Sequence, residues 1–265
     1  FSLKMSSPLR TRACGLTPSF LTIAAKSPSQ KASTYSASAS VARAYPNNVA
    51  VGSLLTITGS VLTNGANDPP VAGDLTKTAG TSTIGTITRD AVSTRDVGGG
   101  FYLHVAQFSV LVAGAGSLTL TLAGGANGVS TWLAVDEYTG TFDASRLVDT
   151  AAANGDSTAP NSGDADSSGA ALFFGGLVHL NASSGSAATE DGAFTLIAEQ
   201  DSTTTQVGWS SIARIVSGAT TDAASWTTNN AAAWAAAVAV YREVAPKANV
   251  PYRKPPGIRP AYRYH

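Results

Sequence analysis

The sequence predicts an all-β protein, a two-sheet β-sandwich of jelly-roll-like type with extended N- and C-terminal arms. Three observations carry this. Between the arms the dominant hydrophobic period is two, the signature of half-buried strands. Clusters of Gly, Asn, Asp and Ser separate the apolar runs at short intervals. Only 13% of the 265 residues are charged while 26 are glycine, about half the usual ~25% charge, which favours turn-rich β structure over helices laced with ion pairs. The hydrophobic fraction of 43% suffices for a packed core and excludes wholesale disorder. No apolar stretch approaches the roughly 18 residues of a transmembrane helix, so no membrane partner is expected.

Residues 1–30 read as an N-terminal basic arm. Pro8, Pro18 and Pro28 interrupt it, and Phe20–Ala24 is its one strand-like piece. Phe1 is not an initiator residue, so the chain reads as processed or partial, and a signal peptide starting at Met5 fits poorly. The sandwich is expected over 31–245. Its first clear strand is Ser53–Leu62, with Leu55, Ile57 and Leu62 on a pattern broken by Gly59. Thr83–Thr88 follows, then Phe101–Val112, which is apolar on both faces and suits a strand buried from two sides. Ser117–Leu122 alternates threonine with three leucines. Ser130–Tyr138, Ala171–Leu180, Ala193–Glu199 and Val207–Val216 complete the series. The stretch 145–170 reads as a long exposed loop around one short strand.

Ala231–Glu243 is the best helix former by alanine count. Yet Trp234, Ala236, Val238 and Val240 share one side of a strand, and the domain offers no helix for it to join. Strand is the preferred reading. Residues 246–265 hold Pro246, Pro251, Pro255, Pro256 and Pro260. Proline fixes φ and removes donors, so an extended, polyproline-like arm is expected.

The formal net charge of zero divides unevenly. Residues 1–43 carry six bases and no acid, 247–265 carry five bases and no acid, and the middle holds all 17 acids against six bases. An acidic body with basic ends reports on partners more than on fold. Cys14 is the one cysteine, so no intrachain disulfide exists.

The order of elements carries a resemblance. Val51–Ile57, the long apolar strand at 101–112, a Thr/Leu strand and Trp132–Gly140 are followed by a small-residue loop, Phe194-Thr195-Leu196 and a closing Trp/Ala-rich strand at 226–241. This resembles a β-sandwich domain that recurs in structural proteins of tailed bacteriophages and in some bacterial surface proteins. The likeness covers about 19–243. Asp68-Pro69-Pro70 stands where an Asn-Thr-Trp turn would be expected. The resemblance carries no catalytic signature and implies a non-enzymatic virion or surface role.

Residues able to carry chemistry are few. Asp136 and Glu137 are adjacent and on a strand point to opposite faces, one expected at a strand edge and one in solvent. Glu190-Asp191 reads as a solvated turn. His104 and His179 lie inside apolar strands, where a satisfied ring is commoner than a catalytic base, and no Gly-x-Ser-x-Gly elbow accompanies them. Asp164-Ala165-Asp166-Ser167-Ser168-Gly169 opens like a calcium loop, but Gly175 stands where an EF-hand needs glutamate. A simpler Ca2+ site using Asp156, Asp164 or Asp166 is the candidate metal site, against the alternative of a solvated loop tip; no other cofactor is expected. Trp132, Trp209, Trp226 and Trp234 could form a glycan platform or fill the core. Nucleic acid binding by the body is disfavoured, because a charge of −11 repels phosphate.

The leading expectation is a non-enzymatic structural virion protein, a capsid decoration or cement protein or a tail-associated one, that assembles as a homo-oligomer. Its partners would be other copies of itself and neighbouring shell or tail proteins. The interaction residues are Arg10 and Arg12 in the first arm and Tyr252, Arg253, Lys254, Arg259, Tyr262, Arg263 and Tyr264 in the second. Strand addition by Phe20–Ala24 to a sheet edge would add to these contacts. The alternative is an extracellular adhesin or carbohydrate-binding module, which requires an exposed tryptophan beside a loop carboxylate.

Overall fold

Strands dominate the chain because its apolar residues recur at even spacing and its turns are rich in glycine. The computed structural model describes residues 23–26, 32–180, 188–202 and 206–244. In chain order the strands are β1 (Ala24–Ala25), β2 (Ala32–Ser36), β3 (Ser40–Ala44), β4 (Leu54–Asn64), β5 (Leu75–Ala79), β6 (Thr83–Ile84), β7 (Thr88–Gly98), β8 (Phe101–Gly114), β9 (Thr119–Ala123) and β10 (Gly128–Thr139). They continue as β11 (Leu147–Ser157), β12 (Ala165–Ser167), β13 (Ala171–Leu180), β14 (Ala188–Glu190), β15 (Thr195–Ser202), β16 (Val207–Val216), β17 (Thr220–Asp222), β18 (Trp226–Thr228) and β19 (Ala232–Arg242). Among the described residues the one helical element is a 3-10 turn at Ala72–Asp74. Among the described residues no helix is long and apolar enough to cross a membrane.

Two large antiparallel sheets form the centre. The first runs β2-β10-β4-β8-β7, with β1 beside β10 and β6 beside β8; the second runs β11-β19-β13-β16-β15. They pack face to face. Leu62, Val105 and Trp132 of the first meet Val178, Trp209 and Ala235 of the second, and Leu54 and Tyr138 meet Phe174 and Tyr241. The small sheet β3-β9-β5 covers the outer face of the first, where Val41, Leu75, Leu120 and Leu122 cluster with Ile57, Phe108 and Val135. The pairs β12-β17 and β14-β18 cover the second, with Trp226 packed among Phe173, Ile212 and Val238. Four layers result. The inner strands β4, β8, β10 and β13 are therefore buried on both faces along nearly their whole length, and β8 and β13 read as nearly continuous apolar runs.

The strands fall into two sets of one order, and the first of them includes β1 from the expected N-terminal arm. With β1/β2 to β10 numbered one to eight (β6/β7 as five), and β11 to β19 likewise (β17/β18 as seven), both large sheets run 1-8-3-6-5. In both sets strand seven pairs with strands two and four on the outside.

Two expectations need correction. The stretch 145–170 is not a long loop: β11 pairs with β19 from Leu147↔Tyr241 to Ser157↔Ala232. Its Asp149, Thr150, Asn154 and Asp156 hide it, since an edge strand needs little apolar alternation of its own. The other miss is β7. The expected Thr83–Thr88 strand is broken at 85–87: Thr83–Ile84 is a short strand, and the main element begins at Thr88 and pairs along β8. Its turn uses Gly98, Gly99 and Gly100, with φ of 84°, 64° and 84°, a run of left-handed conformations that side chains disfavour.

Ala231–Glu243 is a strand, as preferred. It occupies an interior position of its sheet as β19, and its small residues permit close sheet packing. The neighbouring β13 shows the same need at Gly176. A Cβ there would overlap Gln107 and stand 2.6 Å from Thr58 Cγ2 of the facing sheet.

Candidate interaction surface

The expected interaction residues Arg10, Arg12, Tyr252, Arg253, Lys254, Arg259, Tyr262, Arg263 and Tyr264 lie outside the described residues. Their counterpart lies inside. All 17 acids of the chain and eight of its 17 lysines and arginines fall in described residues, which leaves these at −9 and the remaining segments at +9.

One basic residue of the first expected arm is described, and it is anchored. Ala24 and Ala25 pair with Thr139 and Tyr138 of β10. The Lys26 backbone N–H then donates to the Glu137 carbonyl at 3.0 Å. Lys26 Nζ donates to Glu137 Oε2 at 2.9 Å and to the Asn48 carbonyl at 2.7 Å. Glu137 is fully buried and also accepts from Ala50 N–H at 2.7 Å and Ser53 Oγ at 2.6 Å. Burial of an ionised carboxylate is tolerable when its lone pairs are met in this way.

This corrects the expectation for the Asp136-Glu137 pair. The two do face opposite sides of β10, but neither is at an edge or in solvent, because β10 is flanked by β4 and by β1 and β2. Asp136 faces the second large sheet beside Tyr138. Burial raises the Tyr138 hydroxyl well above its ordinary range, and the Asp136 carboxylate adds to the shift.

His104 and His179 are core residues. His104 is fully buried, with Nε2 3.0 Å from Thr63 Oγ1 and Nδ1 2.9 Å from Thr94 Oγ1. Burial lowers its pKa to about 4, against a smaller opposing pull from Asp68. Burial lowers that of His179 as well, against a hydrogen bond to the Leu180 carbonyl. All four tryptophans are buried, Trp234 the most exposed at 7%, so none forms a ligand platform.

Polar contacts stitch the two large sheets together. Tyr241 donates to Asp90 Oδ2 at 2.8 Å, and Thr58 and Ser211 share a hydrogen bond of 3.0 Å. Arg146, buried in the link between β10 and β11, donates through Nε and Nη2 to Ser109 Oγ at 3.2 and 2.8 Å. Burial raises the Asp90 carboxyl, with Ser109, Tyr241 and Arg146 opposing.

The three calcium candidates do not converge. Asp156 is paired with Arg95, whereas Asp166 accepts from Thr221 and its N–H donates to Asp149 Oδ2 at 2.7 Å. Asp149 and Asp156 lie seven residues apart on β11, about 23 Å at ~3.3 Å per residue. Asp164 shares the exposed side of its segment with Asp166, since Ala165 between them is buried. Among the described residues no group of three metal-ligating side chains is close enough to hold an ion.

A surface cleft of about 380 Å³ lies at the end where the chain leaves β19. Arg242, Glu243 and Val244 line it from there, Ser145 and Val148 from around the start of β11, and Ser167–Ala171 from the turn between β12 and β13. Glu243 is 6% exposed. Its Oε1 accepts the Thr141 N–H at 2.8 Å, while its Oε2 is buried with no hydrogen-bond partner. Asp143, Asp149 and Asp166 stand next to the lining residues in the chain. The Ser145 hydroxyl and N–H hold the Asp143 carboxyl below its ordinary range, with smaller help from Arg242 and Arg146. Sequence reasoning missed this cleft because it depends on β11, which read as a loop.

No protein-family model matches the chain, and no curated protein or solved structure does.

Proposed function

We infer that the chain is a non-enzymatic structural protein of a virion, a shell decoration or cement component, that holds to neighbouring copies through its basic segments. The charge partition carries this reading: every acid lies within the described residues, and the nine bases outside them are accompanied by none. Opposite charge on segment and body steers encounter and sets register. Tyrosine, arginine and proline in 246–265 supply side chains that suit a docked segment. Lys26 gives an intramolecular precedent, since it is held by a buried carboxylate of β10 next to a two-residue strand pairing.

Sedimentation velocity of the full chain tests the reading. Assemblies should form at low salt and dissociate as sodium chloride rises to about 0.5 M, where screening shortens to a few ångströms. Replacing Arg253, Lys254, Arg259 and Arg263 together by glutamine should abolish them. A full chain that stays monomeric at low and physiological salt would overturn the proposal.

A further inference from the structure

We propose that Asp90 is a proton-sensitive latch between the two large sheets, closed when its carboxyl carries a proton and loosened when it ionises. The inference is independent of the assembly reading, since it concerns contacts within one chain.

A β-bulge puts Asp90 in place. Where β7 pairs with β8, Arg89 lies opposite Phe108 and Ala91 opposite Gln107, so Asp90 is the extra residue between them. A bulge re-aims the side chain it inserts. Here the carboxyl crosses to the second large sheet, where Oδ2 accepts the hydroxyl of Tyr241 of β19 at 2.8 Å. Tyr241 is fully buried, and burial first, the Asp90 charge second, hold its hydroxyl well above the ordinary range, so it remains a donor.

No cation meets this carboxylate directly among the described residues. The Arg146 guanidinium instead donates to Ser109 Oγ through Nε and Nη2, and no ion pair joins it to Asp90. Support for the charged form comes from Ser109 of β8, from Tyr241 of β19 and, by charge alone, from Arg146; burial opposes them and raises the carboxyl. The other charged groups nearby are engaged elsewhere. Arg89 on β7 donates to the Pro70 carbonyl at 2.9 Å, and Asp149 on β11 accepts the Asp166 N–H. Strand β7 touches the second sheet at two further points, Ser93 Oγ donating to the Ala153 carbonyl at 2.6 Å and Arg95 paired with Asp156. The first is uncharged and the second has its own counter-charge, which leaves Asp90 as the contact a proton can switch. Asp90 is half-buried and lines a cleft of about 300 Å³ between β7 and β11, bounded across from it by 150–152, so water has a way in when the carboxyl ionises. Ionisation there costs hydration that neutral donors return only in part.

The sign follows from linkage. A carboxyl raised in the folded chain contributes stability that is present below its unfolded value, 3.8 here, and is lost as pH rises through the folded value. Carboxyl-detected NMR of the full chain should therefore show Asp90 titrating above the exposed aspartates; titration with them or below them overturns the latch. Asp90→Asn mimics the protonated form. Between pH 4 and pH 7.5 the ratio of the two folding constants in urea unfolding should move about threefold or more in favour of the variant, since one unit of displacement is worth tenfold. A ratio that stays constant overturns the proposal. Hydrogen exchange at 150–152, corrected for its intrinsic pH dependence, should quicken in the parent as Asp90 ionises and stay level in the variant. Exchange in the parent that ignores the Asp90 titration overturns the latch, and this reading and the NMR titration need no variant to fold.

Discussion

The two strand sets share one order but fill it with different side chains. The first, 24–139, closes its outer face with one continuous three-stranded sheet lined by Leu75, Leu120 and Leu122. The second, 147–242, splits the equivalent strand into β17 and β18 and puts Trp226 into its outer core. Its inner strands compensate for that bulk with small residues on the same face, Gly175 in β13 and Ala236 in β19. A Cβ at Gly175 would collide with Ala224. The lesson is that strand order constrains which surfaces meet, while the volume between them can be divided in more than one way.

The edges differ too. The first set is edged by two short strands, β1 and β2, and the second by the continuous β11. The chain leaving β10 runs directly into the link that carries Arg146. The chain leaving β19 instead borders the Glu243 cleft, with Arg242 N–H donating to the Arg146 carbonyl and Val244 N–H to that of Thr141. The eighth strands are thus continued differently, and the cleft forms beside the second set.

Removing the tryptophan plug should have the largest effect. Trp226→Ala deletes a fully buried side chain and its 3.1 Å hydrogen bond to Ser210, and should cost about 3–5 kcal/mol in urea unfolding. Leu122→Ala in the first set should cost less, about 2–5 kcal/mol by the same rule, with the lower part expected because one leucine of several is lost. Equal losses would mean that the two outer cores are interchangeable.

The histidines give an intermediate effect. His104 has a folded pKa lowered from 6.5 to about 4. Below pH 6.5 the unfolded chain takes up a proton that the folded chain refuses, so stability present above 6.5 is lost as pH falls toward 4. Burial shifts His179 in the same direction. His104→Gln should flatten the decline in unfolding midpoint between pH 7 and pH 5. An unchanged slope would show that His104 is not the residue responsible.

The smallest effect is expected where the two sets touch at the surface. Arg95 on β7 pairs with Asp156 on β11, and both are substantially exposed. Arg95→Gln should cost no more than about 1 kcal/mol, less at high salt. A larger loss in thermal unfolding would mark this pair as a fastener between the sets rather than a surface contact.

Much of the fold is legible in the residues. The runs at 101–112, 130–138 and 171–180 become β8, β10 and β13, and at 101–112 apolar residues on both faces announce burial from both sides. The alanine-rich strand is legible through its two-residue spacing of Trp234, Ala236, Val238 and Val240. The edge strands are not. Arg89, Asp90, Arg95 and Asp96 mask β7, although three consecutive glycines mark its turn, and the polar residues of β11 mask it likewise. The cleft was hidden for the same reason, since Val148 of β11 and the turn after β12 help to line it.

By itself the sequence determined the all-β class, the doubly buried strand at 101–112 and the separation of acidic from basic segments. These follow from composition and local spacing, which need no partner to be read. Only the tertiary structure decided the four layers, the repeated strand order, the burial of Asp136 and Glu137, and the cleft at Glu243. Each of these depends on which distant strand supplies hydrogen bonds and which sheet covers a face, and antiparallel pairing settles that between residues as far apart as Ala24 and Thr139 or Leu147 and Tyr241.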